Sequence, residues 1–385
     1  MDANATTPVL PDVVEAMRPF WTEAFGNASS IHQQGQQARA AVERARESVA
    51  GLLGCRAAEV VFTSGGTESD NLALFGVVAP GEHLIVSSME HSAGLHAAQA
   101  LARRGVEVTF LPATPEGVVE VSALESALRP NTRLVSVMLA NNETGAIQPV
   151  RELAELTHAT GALFHTDAVQ AAGKLALDVK ALGCDMLSIS GHKMYAPQGV
   201  GALFVRRNVL LRPIFFGGNH ERGRRPGTEN VAGIVGLGKA AGLARAWLAN
   251  GEQRLLAELR DRLEQGILAQ VEEAGVNGAG AARVCNTSNM FFDHVEAEAL
   301  VIALDLKGLA VSGGSACQSG ATEPSHVLTA MGLSVARARS SVRFSLSRLS
   351  TGDEVECALA LVPAAVARLR KLAPNKTKQT LALSR

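Results

Sequence analysis

Asp185-Met186-Leu187-Ser188-Ile189-Ser190-Gly191-His192-Lys193-Met194-Tyr195 is the stretch around which the remainder of the sequence becomes intelligible. The apolar run up to Ile189 reads as a buried strand. Ser190-Gly191 is a small polar turn, and His192 and Lys193 follow it directly. A lysine at a strand end can snorkel to water. In a partly desolvated pocket the same amine sheds its proton near neutral pH, because burial disfavours the charged form. It can then form a Schiff base with an aldehyde. The flanking sequence decides between the two.

On both sides, short apolar runs end in polar clusters. Val60-Val61-Phe62 leads to Ser64-Gly65-Gly66-Thr67-Glu68, and His83-Leu84-Ile85-Val86 leads to Glu90-His91. Leu134 to Leu139 leads to Asn141-Asn142-Glu143, and Leu163-Phe164-His165 leads to Thr166-Asp167. Val106 to Phe110 alternates like a strand, and Gly201 to Val205 forms another run. Strands apolar on both faces, alternating with helices, predict an α/β fold with a mostly parallel sheet covered on both sides. Function in such sheets gathers at the carboxyl ends of the strands, where these polar clusters lie.

The flanks are less regular. Helices are predicted from about Val13 to Trp21 and from Gln36 to Leu53, and Val231 to Gln270 reads as a helix-rich linker. Gly217 to Asn230 is a long polar loop rich in Gly and Arg, a kind of segment that tends to be functional. Runs at 288–292, 309–311 and 342–345 predict a smaller α+β domain.

Bulk properties narrow the function classes. The 385 residues are 47% hydrophobic and 19% charged, with 36 Lys+Arg against 37 Asp+Glu. This is enough chain for two domains, and it has no basic excess for nucleic acid. Cys55, Cys184, Cys285, Cys317 and Cys357 are widely spaced, which disfavours a disulfide framework or zinc site. With no basic-then-apolar leader and no apolar run of membrane length, the expected setting is the cytoplasm, away from membranes. The abrupt start at Met1-Asp2-Ala3-Asn4 leaves room for a short upstream segment.

The clusters carry specific chemistry. Ser64 to Glu68 could cradle a phosphate at a helix N-terminus, and reads equally as a plain helix cap. Asp167, with Gln170 behind it, could hold the protonated nitrogen of a pyridoxal phosphate ring, or cap the next helix. His91 could stack on such a ring or be structural. Cys317 sits in Ser312 to Gly320, a small polar glycine-rich stretch, which predicts a mobile, accessible thiol. Arg343, in an alternating strand, could make a two-point contact to a carboxylate or lie on the surface. The P-loop-like glycines from Gly233 to Lys239 are a decoy, since Ala240 replaces the required hydroxyl. A nucleotide switch fails there.

Thr-Ser-Gly-Gly-Thr-Glu-Ser-Asp-Asn at 63–71, Asn-Asn-Glu-Thr-Gly at 141–145, Ser-Gly-His-Lys at 190–193 and Ser-Ala-Cys-Gln-Ser at 315–319 are individually specific. With Glu323-Pro324-Ser325-His326-Val327-Leu328, they resemble the cysteine desulfurase family, in its NifS/IscS-like branch of the class V aminotransferase group. The likeness runs from Asn4 to about Ser347. It implies fold type I of the pyridoxal-phosphate enzymes: a large domain (15–250) with a mostly parallel seven-stranded sheet between helices. The smaller α+β domain would comprise 1–14 and 251–385 and carry Cys317. The implied cofactor is pyridoxal 5′-phosphate, bound to Lys193 as a Schiff base. Asp167 would pair with the ring nitrogen, Gln170 would donate to the ring hydroxyl, and His91 would stack on the ring. Gly66, Thr67, Ser190 and His192 would form the phosphate site, with Thr228 reaching across from the other subunit of a homodimer. Asn142 and Arg343 would bind the carboxylate of L-cysteine. Lys193 would move the Cα proton, and Cys317 would leave with the sulfur as a persulfide, releasing L-alanine.

A sulfur-acceptor protein such as an iron–sulfur scaffold is the implied partner. No resident metal is implied, only Cys317 as a transient ligand of an iron–sulfur cluster. Gly66 stands where the family commonly has alanine, and Thr144 where an aliphatic is common. The alternatives on the same scaffold are a selenocysteine lyase and a small-molecule aminotransferase, which has no use for Cys317. A non-catalytic sulfur carrier is disfavoured by Lys193, Asp167 and Cys317 occurring together.

Overall fold

The computed structural model describes residues 1–313 and 324–372; Cys317 and the motif at 315–319 lie outside the described residues. Seven strands form the larger sheet: β1 (Val60–Thr63), β2 (His83–Ser87), β3 (Glu107–Leu111), β4 (Thr132–Ser136), β5 (Leu163–Asp167), β6 (Met186–Ser190) and β7 (Gly201–Val205). Their order is β1-β7-β6-β5-β4-β2-β3. The sheet is the mostly parallel one expected. Its exception is β7, antiparallel to both β1 and β6. The carboxyl ends of β1, β2, β4, β5 and β6 therefore share one edge.

Every residue of β2, β6 and β7 is buried, because both faces of the sheet are covered. Alternate side chains serve opposite faces. Phe62, Ile85, Val135, Phe164 and Leu187 join the core under the Gln33–Leu53 and Val231–Ala249 helices. Val61, Leu84, Leu134, Met186 and Leu203 join the core under the Gly66–Val77 and Ser92–Ala102 helices.

The Val231–Ala249 helix corrects the linker reading. It is long and apolar enough by composition to cross a membrane, yet more than half of it is buried inside the protein. Gly238 permits this packing: a Cβ there would lie 2.5 Å from the Cα of Ala45. Nearer the N-terminus, the single helix expected from Val13 to Trp21 is two, Pro11–Met17 and Pro19–Thr22. Pro19 lacks the N–H that would continue the first one.

The smaller sheet is antiparallel, in the order β10-β11-β9-β8. It comprises β8 (Ala274–Val276), β9 (Thr287–Phe292), β10 (Ser312–Gly313) and β11 (Ser341–Ser345). The predicted strand at Leu309 to Val311 is thus displaced to Ser312–Gly313, and β8 is additional. Phe292, Phe344, Leu263 and Leu300 form its core with the Gln253–Leu268, Ala297–Asp305 and Gly352–Leu372 helices. The N-terminal residues run along β11: the Ser345 amide donates to the Met1 carbonyl (3.0 Å), and the Ala3 amide to the Ser345 carbonyl (2.9 Å).

The loop from 217 to 230 is pinned by one buried ion pair. Arg46 reaches Glu221 through two bonds of 2.7 and 2.9 Å, with side chains 5% and 3% exposed. The Glu221 carboxylate also accepts from the Phe62 amide of β1 (3.0 Å), and the Arg46 guanidinium lies over the Phe62 ring. Removing one member of a buried pair strands the other charge, at a cost of about 3–5 kcal/mol. Arg46→Met is therefore expected to lower the urea midpoint by that equivalent. Arg46→Met combined with Glu221→Leu is expected to lose distinctly less. Equal losses in the single and double variants would refute this account of the pair.

Candidate active site

Lys193 closes a 3-10 turn (Gly191–Lys193) directly after β6. Its Nζ donates to the backbone carbonyls of Asn4 (2.7 Å) and Ala5 (2.6 Å). The lysine is half-buried, not a surface side chain. Two residues on, Tyr195 adopts φ 65°, uncommon for a residue with a Cβ. Its neighbours enforce it: the amide donates to Thr7 Oγ1 (2.9 Å), and the hydroxyl accepts from the Arg348 amide (2.7 Å) and meets Ser347 Oγ (2.9 Å). Strain held in place beside a chemical group is a mark of functional sites.

Asp167 ends β5, in register with Ser188 of β6. The Val169 amide donates to its Oδ1 (2.8 Å), and burial lifts its pKa to about 6. Further acids lie behind it. Burial pushes both Asp70 and Glu90 well up, with the Asp167 charge adding to the effect. Glu90 accepts from the Met138 amide (2.7 Å). His165 lies between Ser136 Oγ (2.8 Å) and Ser188 Oγ (2.9 Å), and burial holds its pKa down to about 3, so the ring is neutral. His91 caps the Ser92–Ala102 helix, accepting the Ala93 amide at Nδ1 (3.1 Å), so its neutral ring carries its proton on Nε2. Its pKa is lowered by burial first and then by the charge of Lys193.

Gly65 caps the Gly66–Val77 helix at φ 153°, with no side chain covering the N-terminal amides. Thr67 is exposed and does not act as the cap considered from the sequence. A Cβ on Gly66 would lie 3.6 Å from Ser190 Cβ, so the helix start and the end of β6 form one corner. The acid in the first turn is neutralised: Glu68 binds Arg225 (2.7 Å) and the Ser64 amide (2.8 Å). His192 contacts Thr6 Oγ1 through Nδ1 (3.2 Å), and burial with the adjoining Lys193 brings its pKa down to about 4. Thr228 is not brought to this corner. It is exposed and lines a separate cavity of about 870 Å³ with Asn27, Ser29, Arg39 and Arg46.

Arg343, on β11, meets Asn142 from the loop after β4. Its Nη1 donates to the Asn142 carbonyl (3.0 Å) and its Nη2 to Asp2 Oδ1 (2.8 Å). Two buried atoms here have no hydrogen-bond partner among the described residues: Arg343 Nε and Asn142 Oδ1. Unsatisfied buried polar groups call for a ligand or water.

Asn4 joins these parts and was not singled out by sequence reasoning. Its Nδ2 donates to the Asn142 carbonyl (3.1 Å) and Thr287 Oγ1 (2.8 Å). Its carbonyl accepts from Gln170 Nε2 (3.0 Å) as well as from Lys193. Lys174 was also missed; its Nζ donates to Asn4 Oδ1 (2.9 Å) and Gln170 Oε1 (2.7 Å). The only local signal of Asn4 was the extended, turn-rich start of the chain, and Lys174 had none.

The residues fit a pyridoxal-phosphate cofactor on three counts. Asp167 is a buried carboxylate with no ion-pair partner within bonding distance among the described residues, which a protonated ring nitrogen would supply. The uncapped helix start beside Ser190 suits a phosphate. Lys193 follows Ser190 by three residues, at the same sheet edge as Asp167 and the helix start.

Comparisons agree with this geometry. The aminotransferase class-V family pattern matches residues 1–357. The chain is 47% identical over 382 residues to a cysteine desulfurase of Nostoc sp., covering 98% of this chain and 95% of that one. It is 51% identical over 381 residues to a cysteine desulfurase IscS of Anaeromyxobacter sp., covering 97% and 94%. Among solved structures, a NifS-like protein superposes with a TM-score of 0.88 at 35% identity, covering 95% and 98%. A structure described as SspA in complex with cysteine gives 0.79 at 36%, covering 91% and 99%. A strand-end lysine, a buried aspartate one strand away and a Gly-rich helix start thus sit within a fold and sequence shared along nearly the whole chain, and the chain belongs to the class-V aminotransferase family, in its cysteine desulfurase branch.

Proposed function

We propose that this protein is a pyridoxal-phosphate-dependent cysteine desulfurase that converts L-cysteine to L-alanine and takes the sulfur onto Cys317 as a persulfide. The observation that carries the reading is the convergence on Asn4 of Lys193, Gln170 and the Asn142–Arg343 pair, the last with two buried polar atoms that have no partner among the described residues.

Each residue then has a physical task. Arg343, through its unpartnered Nε, and Asn142, through its side-chain NH₂, bind the substrate carboxylate. The bound cofactor supplies an electron sink that acidifies the substrate Cα–H. Asp167 keeps a proton on the ring nitrogen, and Gln170 donates to the ring hydroxyl. Gly66, Thr67, Ser190 and His192 surround the phosphate, and His91 covers the ring with a neutral imidazole. Lys193 moves the proton at Cα. The Cys317 thiolate attacks the substrate sulfur; the C–S bond breaks, the S–S bond forms, and the three-carbon remainder leaves as alanine.

Thr228 fits a role across a homodimer interface, since it is exposed on a cavity apart from Lys193, and Ile31 and Phe216 nearby in sequence to this cavity's lining are 91% and 90% exposed. A sulfur acceptor such as an iron–sulfur scaffold protein would take the persulfide sulfur. The thiols of Cys55, Cys184, Cys285 and Cys357 are unpaired, which fits a reducing compartment such as the cytoplasm.

Purified protein with pyridoxal 5′-phosphate is expected to develop a visible absorption band that Lys193→Ala lacks. Cys317→Ser is expected to keep the band and to lose L-alanine formation to background; alanine and sulfide release at the wild-type rate would rule out this nucleophile. Arg343→Ala is expected to keep the band while kcat/KM for L-cysteine falls about 10- to 150-fold, the equivalent of roughly 1.5–3 kcal/mol for hydrogen bonds to a charged group. Unchanged steady-state kinetics would remove Arg343 from the substrate site.

A further inference from the structure

Lys174 is a fully buried amine with no part in the chemistry above. Successive turns after β5 place it beside Gln170: the Ala172 amide donates to the Ala168 carbonyl (2.8 Å), and the Lys174 amide to the Ala171 carbonyl (2.9 Å). Its Nζ then faces two acceptors, Gln170 Oε1 at 2.7 Å and Asn4 Oδ1 at 2.9 Å. Asn286 Nδ2 donates to the same Asn4 oxygen (3.0 Å).

We propose that Lys174 is a positioning residue of the cofactor site, which locks the Gln170 amide and the Asn4 side chain in the one orientation that leaves a Gln170 N–H free to donate to the ring. A side-chain amide can turn over, exchanging its oxygen and its NH₂. Here it cannot do so at low cost. With the oxygen turned toward the Asn4 carbonyl, two acceptors would face each other, and the NH₂ would face the donors of Lys174. Each misplacement would leave buried groups unsatisfied. Held as it is, Gln170 gives one N–H to the Asn4 carbonyl and retains a second.

The lock does not depend on charge. Burial brings the Lys174 pKa down to about 7, with Lys193 and Arg343 adding to the lowering. A neutral amine still has two N–H groups for its two acceptors, so both bonds persist on either side of that value.

This inference rests on the proposed function, because it takes Gln170 to face the cofactor. A donor to the ring oxygen competes with the neighbouring Schiff-base nitrogen for it, so losing the donor raises the pH at which the visible band titrates. In the holoenzyme, Lys174→Met is expected to raise that midpoint by about one pH unit, the worth of one hydrogen bond. Gln170→Leu is expected to do the same. Adding Lys174→Met to Gln170→Leu is expected to move it no further.

An unchanged midpoint in Lys174→Met, or a further rise in the double variant, would overturn the proposal; the second result would mean that Lys174 acts by its charge and not through Gln170. Should Lys174→Met fail to fold, Lys174→Ala, whose shorter side chain admits water, is read in the same two backgrounds by the same criteria. A wild-type protein that forms no visible band with pyridoxal 5′-phosphate would instead overturn the functional reading beneath.

Discussion

Asn4 donates from its amide to Ser345 Oγ and from Nδ2 to the Asn142 carbonyl and Thr287 Oγ1. It accepts at Oδ1 from Lys174 and Asn286, and at its carbonyl from Gln170 and Lys193. It is 2% exposed. Its partners come from the turns after β5, the tip of β6, the loop after β4, and strands β9 and β11. The larger sheet contributes the lysine and the glutamine; the smaller sheet contributes the arginine and its support. A buried polar group that loses its partner costs about 1–3 kcal/mol, and here seven such bonds share one residue. The relative placement of amine, amide and guanidinium depends on this one side chain and its carbonyl more than on any single apolar contact.

Much of the fold was legible because its signals are local. Buried strands followed by Gly, Ser and charged residues mark the ends of β1, β2, β4, β5 and β6 directly in the sequence, and the structure sets those ends on one edge. Lys193 and Asp167 stand out this way, whereas Gly66 and Ser190 enter as candidate site residues through the family resemblance. What was illegible is non-local. Nothing near Asn4 in sequence states that its partners lie some 140 to 340 positions away. Lys174 looked like an ordinary charged residue because its acceptors come from the far terminus. β8 has three half-exposed residues and no alternation to read. β10 is two residues long, buried Ser312 and half-buried Gly313, opposite Arg343 and Val342. The Val231–Ala249 helix is apolar on most sides, so no amphipathic stripe marked it as a core element rather than a connector.

The acids behind Asp167 illustrate how burial sorts identical groups. Asp70, Glu90 and Asp167 are all carboxyls in the same interior, and burial makes each resist ionisation; for Asp70 and Glu90 the Asp167 charge adds to the effect. Asp167 alone of the three has the Lys193 charge among the causes that favour its ionised form, beside the bond it accepts from the Val169 amide. The interior therefore disfavours negative charge on the deeper acids, while at the sheet edge Asp167 has groups that favour its ionised form. His165, neutral between two serines, adds no positive charge to upset that ordering.

Gly66 departs from the residue usual at its position, and the packing supplies a reason. A methyl group there would come 2.8 Å from Cγ2 of Val169. That valine is no bystander, since its amide anchors the Asp167 carboxylate. Residues 66 and 169 are thus paired in size across two separate motifs, a small residue opposite a branched one. Grafting an alanine into the first motif would press on the anchor of the Asp167 carboxylate unless position 169 were trimmed at the same time. Transplants between homologous sites would have to move the two as a couple.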